Sequence, residues 1–103
     1  MNIKLTYLYR DGGNYKNFNE VIFTNKKKKD ISDIRNVIKS KLIDDRWFYA
    51  DQWGLPDLHF IEYKYDRNVD VDWHELENIE LTDEISSDSL DIETLLKVLR
   101  RVK

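Results

Sequence analysis

The chain contains two histidines, His59 and His74, no cysteine and twenty carboxylates, and these bound the chemistry open to it. Asp70, Asp72 and His74 are spaced i, i+2, i+4, so they share one face of a strand that begins at Asp70. A two-residue turn at Asp66-Arg67 sets His59 opposite His74. Two imidazoles with Asp72 then form a donor set suited to a divalent metal. The same register places Ile61 against Asp72, an apolar residue against an acid. We therefore expect structural, hydrogen-bonded histidines and no metal site. Asp72 and Glu75 lie close to His74 in sequence, as a general base requires, but no nucleophile accompanies them. Gly12-Gly13-Asn14 is no phosphate cradle, because no Lys-Ser/Thr follows and it opens a strand. With two His, five Ser and no Cys, no catalytic residue is assigned, no cofactor is implied, and the chain is expected not to be an enzyme.

Recognition is better served than catalysis. Trp47, Phe48, Tyr49 and Trp53 fall within seven residues, interleaved with Arg46 and followed by Leu55 and His59. Trp, Tyr and Arg combine a large apolar body with a polar handle and dominate interface energetics. The same aromatics would also serve to plug the open end of a small core, and the sequence leaves both readings standing. Charge is unevenly spread. Residues 1–65 carry net +3, residues 66–93 net −10 and residues 94–103 net +4. Asp70, Asp72, Glu75 and Glu77 belong to the acidic block, which reads either as a solubilising face or as a surface that steers a basic partner. Lys26 to Lys29 is one short basic run without the broad basic face of nucleic-acid binders, so a solvated loop is expected.

These residues need elements to hold them. Ile3, Leu5, Tyr7 and Tyr9 alternate with Lys4, Thr6, Leu8 and Arg10, a strand with odd positions inward. Asp11 to Asn14 favours a turn, and residues 18–24 return as the second strand of a hairpin with residues 2–10. Asp30 is a helix N-cap positioned to accept from the Asp33 amide. Ile31, Ile34, Ile38 and Leu42 then form one apolar stripe, a helix near 31–42. Residues 44–56 show no clean period and are expected as a loop ending at Gly54 and Pro56. Residues 57–65 read as a third strand, 66–71 as a turn, and 73–82 as a fourth strand whose imperfect alternation calls for a bulge near Glu77-Asn78. Asp91 caps a last helix near 91–101, with Ile92, Leu95, Leu96, Leu99 and Val102 on its buried side.

The order β-β-α-β-β-α predicts an α+β fold, a four-stranded, mainly antiparallel sheet with two helices on one face. The length of 103 residues suits one domain, residues 1–103. The three Trp, six Tyr and four Phe exclude a disordered chain. Without a long apolar h-region, a sequon or a cysteine, a cytoplasmic protein with no membrane association is expected.

Tyr7-Leu8-Tyr9-Arg10-Asp11-Gly12-Gly13-Asn14-Tyr15-Lys16-Asn17-Phe18 and Gln52-Trp53-Gly54-Leu55-Pro56-Asp57-Leu58-His59-Phe60, with Trp73-His74-Glu75, resemble a family of small uncharacterised bacterial proteins of about this length. The resemblance implies a bacterial or phage origin and one self-contained domain, and brings no activity, ligand or catalytic residue. The reading that follows is a non-enzymatic interaction module, of inhibitor or immunity type by size. It is expected to bind another protein, a basic one where the acidic face takes part, through Arg46, Trp47, Phe48, Tyr49, Trp53, Leu55 and His59, through Asp70, Asp72, Glu75 and Glu77, or through both. No direct nucleic-acid binding is expected, and the oligomeric state is left open. The alternative is a small-ligand or metal-binding domain using the Trp/Tyr/His cluster.

Overall fold

In a computed structural model, which describes residues 1–59, 71–86 and 90–102, the chain forms an antiparallel sheet faced by helices. The elements are β1 (Asn2–Arg10), β2 (Lys16–Phe23), α1 (Ile31–Ser40), β3 (Trp47–Phe48), α2 (Ala50–Trp53), β4 (His74–Thr82) and α3 (Ile92–Arg100). The strands lie in the order β2-β1-β4-β3, and every neighbouring pair is antiparallel. The expected α+β architecture is therefore present.

The first hairpin follows from the alternation in β1. Ile3, Leu5, Tyr7 and Tyr9 are all buried and join one hydrophobic core with Ile34 and Ile38 of α1 and Leu95, Leu96 and Leu99 of α3. Leu8 faces the other way, between Phe18 and Glu75 in the register, and is buried too. The turn is held by Asp11, whose Oδ1 accepts from the Gly13 and Tyr15 amides, each at 2.9 Å. Asn14, rather than either glycine, takes the left-handed backbone conformation at φ 67°, which asparagine tolerates better than most side chains.

Both long helices begin at an aspartate. Asp30 caps α1 as expected, its closest donors being the Ser32 amide at 2.8 Å and the Ser32 hydroxyl at 2.7 Å, ahead of the expected Asp33 amide. Asp91 caps α3 by accepting from the Glu93 amide at 3.1 Å. It also accepts from the Thr24 hydroxyl at 2.7 Å and the Lys26 amide at 3.0 Å, tying the end of β2 to the start of α3. The first helix stops at Ser40, and Lys41 reaches back to donate from Nζ to the Val102 carbonyl at 2.8 Å.

The third strand is the main departure. Residues 57–59 of the expected strand are irregular and residues 60–65 lie outside the described residues, as do 66–70 of the expected turn. The third strand is instead Trp47–Phe48, inside the segment read as a loop, with Trp47 opposite Glu75 and Phe48 opposite His74. It is introduced by a tight turn in which Asp44 and Asp45 both have positive φ, 52° and 59°, and Ile43 bridges to Trp47. Two residues are too few to show a period of two. In β4 the expected bulge is present. Thr6 opposes Asn78 and Tyr7 opposes Leu76, leaving Glu77 without a partner in β1.

Candidate functional site: an aspartate between two imidazoles

His74 opens β4 on the core face, 1% exposed. Its ring lies among those of Tyr9 at 5.3 Å, His59 at 5.5 Å, Tyr7 at 5.9 Å and Phe48 at 6.0 Å between centroids. The Leu58 amide donates to its Nε2 at 3.0 Å. An amide only donates, so Nε2 carries the lone pair and the proton sits on Nδ1. That Nδ1 is buried with no hydrogen-bond partner among the described residues. Burial pushes the His74 pKa below its ordinary value, against the opposing pull of the Asp57 carboxylate.

The segment that meets His74 is pinned from several sides. Tyr7 donates from its hydroxyl to the Pro56 carbonyl at 2.7 Å, and Asn17 donates from Nδ2 to the Leu58 carbonyl at 3.0 Å. Gly54, at φ 69° in the left-handed region, turns the chain out of α2 toward Pro56. Asp57 Oδ1 then accepts from the His59 amide at 2.9 Å, a turn local to Asp57-Leu58-His59. The same oxygen makes a close contact with His59 Nδ1 and lies 3.5 Å from His74 Nε2. Burial raises the Asp57 pKa, but the His59 amide and ring together outweigh it and hold the carboxyl below its ordinary value. Tyr9 packs on the His59 ring at 4.1 Å and anchors the far side by donating from its hydroxyl to the Val71 carbonyl at 2.8 Å.

One carboxylate oxygen thus stands between two imidazole nitrogens, all three donor atoms within 4.8 Å of one another. Donors on one tetrahedral zinc ion lie about 3.4 Å apart, so the close Asp57 and His59 atoms must separate, and the widest pair close in, by about an ångström before the cluster becomes a three-ligand site. The group opens on a cleft of about 290 Å³ that Asp51, Leu55 and Asp72 also line. The rings of His59 and His74 lie 5.5 Å apart, but the hairpin register expected to pair them falls on residues outside the described ones, and the strand partner of His74 is Phe48. The third member of the cluster is Asp57, not Asp72. The signal for Asp57 is its two-residue spacing from His59, the spacing of an aspartate that bonds its own downstream amide.

The aromatic segment is corrected more heavily. Phe48 is 1% and Trp53 2% exposed, their rings stacked at 4.3 Å, and Leu55 is buried beside them in the core. These three side chains plug the end of the sheet and are not available as a contact surface. Trp47 and Tyr49 are half-buried. Arg46 lies 5.6 Å over the Trp47 ring, which packs against Trp73 at 5.8 Å. Of the acidic residues, Asp70 lies outside the described residues, Asp72 and Glu77 are exposed, and Glu75 is half-buried and paired with Arg10 at 3.0 Å. Lys4 pairs with Glu84 and with Glu20, and Lys29 with Glu93 at 2.8 Å. In β4 and the loop after it, Glu75 and Glu84 are therefore each met by a cation within the fold.

No family model, curated protein or solved structure matches the chain. None of the described helices is long and apolar enough to cross a membrane.

Proposed function

We propose that the protein is a non-enzymatic binding domain whose site is the Asp57, His59 and His74 cluster, and whose ligand is a divalent transition-metal ion. The supporting observation is the convergence of one carboxylate oxygen and two imidazole nitrogens within 4.8 Å. A mixed nitrogen and oxygen set of three suits zinc, cobalt or nickel, whereas calcium and magnesium take mostly oxygen. The cost is identifiable. An ion on His74 Nε2 displaces the Leu58 amide, a bond worth about 1 kcal/mol net. It also removes a close carboxylate–imidazole contact, so moderate rather than tight affinity is expected. Three protein donors leave further coordination positions for water or a donor from a partner.

The test is thermal unfolding with zinc, cobalt or nickel in excess. An ion bound only to the folded chain raises stability by RT ln(1 + [L]/Kd), about 2.7 kcal/mol at a hundredfold excess over Kd. The rise should vanish in His59→Ala and in Asp57→Asn, both at accessible positions. No rise with any of the three ions would overturn the reading.

A second reading, a protein partner, is favoured by exposed Arg46 over the half-buried Trp47 and Trp73 pair, with Asp72 and Glu77 also exposed. A basic partner held there would associate at a rate that falls with salt, and neutralising Asp72 and Glu77 would slow it.

A further inference from the structure

We propose that two copies of this chain join through the outer edges of β2, antiparallel about a two-fold axis at Phe18. Among the described strands, β2 is the terminal one of the sheet. Among the described residues nothing pairs with its outer edge between Lys16 and Ile22. Which backbone groups that edge offers follows from the one place where it is filled. The Thr24 amide donates to the Leu90 carbonyl at 2.7 Å, and the Thr24 carbonyl accepts from the Ile92 amide at 2.8 Å. Thr24 thus turns both groups away from β1. Antiparallel pairing alternates this direction residue by residue, and the register with β1 is unbroken from Ile3–Phe23 to Arg10–Lys16. Lys16, Phe18, Glu20 and Ile22 therefore present N–H and C=O to the outside as well.

The segment Lys16-Asn17-Phe18-Asn19-Glu20 is a palindrome except that its ends carry opposite charge. Pairing about Phe18 sets Lys16 against the partner's Glu20, Asn17 against the partner's Asn19 and Phe18 against the partner's Phe18. The backbone alone also allows the axis to sit at Asn17 or Asn19. The first sets Lys16 against the partner's Phe18, and the second sets Phe18 against the partner's Glu20. Only at Phe18 do side chains and backbone agree. The three even-numbered side chains are exposed, Phe18 at 53%. The strand has no proline and no bulge to guard its edge.

A pairing of this length buries little area, so the dimer is weak and concentration-dependent. Sedimentation equilibrium on the full chain, from micromolar to millimolar concentration, should show reversible monomer–dimer exchange. Lys16→Glu sets like charges together at both ends and should weaken the dimer about tenfold. Adding Glu20→Lys to it restores opposite charges and should restore affinity. Phe18→Pro removes an outward N–H that β1 does not use and should give a monomer with the circular dichroism of the parent. A parent chain monomeric throughout the range would overturn the proposal. So would an unweakened Lys16→Glu dimer, or a double variant as weak as the single one.

Discussion

Asp91 joins the end of β2 to the start of α3 alongside the Thr24 backbone bonds to Leu90 and Ile92, and its removal has a calculable effect. Its carboxylate accepts three bonds, from the Thr24 hydroxyl, the Lys26 amide and the Glu93 amide. The last is the N-cap of α3, worth about 1 kcal/mol. The other two are charge-assisted bonds across 65 or more residues of chain, each worth about 1–2 kcal/mol net when exposure is allowed for. Asp91→Ala should therefore cost about 3 kcal/mol, which lowers Tm by roughly 12–24 °C in a domain of this size. Burial raises the Asp91 pKa, but the three donors outweigh it and the carboxyl is held below its ordinary value. A depressed folded-state pKa contributes stability that is present above the unfolded value of about 3.9. That contribution is lost as pH falls through the folded value. Asp91→Asn keeps an acceptor at the cap and should lose less stability at neutral pH. Its stability should also fall less steeply than the parent's on acidification below about pH 4. Urea unfolding at pH 7 and at pH 3 measures both effects. A loss below about 0.5 kcal/mol for Asp91→Ala, the level of an ordinary surface change, would refute the assignment of Asp91 as the link between β2 and α3.

Other perturbations separate the buried from the exposed. Trp53→Ala and Phe48→Ala should each cost about 3–5 kcal/mol, read by urea unfolding, whereas Trp47→Ala should cost clearly less. Equal and small losses at all three positions would contradict the packing. Gly54→Ala meets no atom within 4 Å of the added Cβ, but its φ of 69° is strained for a side chain, so a loss of about 1–2 kcal/mol is expected from conformation alone. Arg35 donates from Nε and Nη2 to the Ile79 carbonyl at 3.1 and 2.7 Å, so Arg35→Met leaves that carbonyl without its cation and should cost about 1–3 kcal/mol. Thermal melts check both.

Much of the fold is legible where a segment repeats its period long enough. The odd positions of β1 and the three-and-four spacing of Ile34, Ile38, Leu95 and Leu99 each sample several turns or pleats, and both aspartate caps stand at a change of period. The bulge at Glu77 is legible as a slip in an otherwise alternating strand. What is not legible is set by contacts distant in sequence. β3 is only Trp47 and Phe48, and it is a strand because β4 lies beside it. Whether Phe48 and Trp53 are bait for a partner or filling for the core depends on where the end of the sheet falls, and local composition is the same in either case. The two histidines are legible as a candidate pair, but the hairpin register that would pair them falls outside the described residues, and their contact arises beside the Phe48–His74 strand pair. Asp57 is legible only as a turn aspartate two residues before His59; its place beside His74 depends on the Pro56 and Leu58 carbonyls being held by Tyr7 and Asn17.

The most direct measurement is a cobalt(II) titration of the parent chain followed by visible absorption, with zinc as competitor. Asp57, His59 and His74 as joint ligands predict d–d bands that saturate at one ion per chain, are abolished by zinc, and are absent in Asp57→Asn and His59→Gln. A titration that leaves the spectrum that of the free aqueous ion, or bands that survive both substitutions unchanged, would contradict a metal site at this cluster.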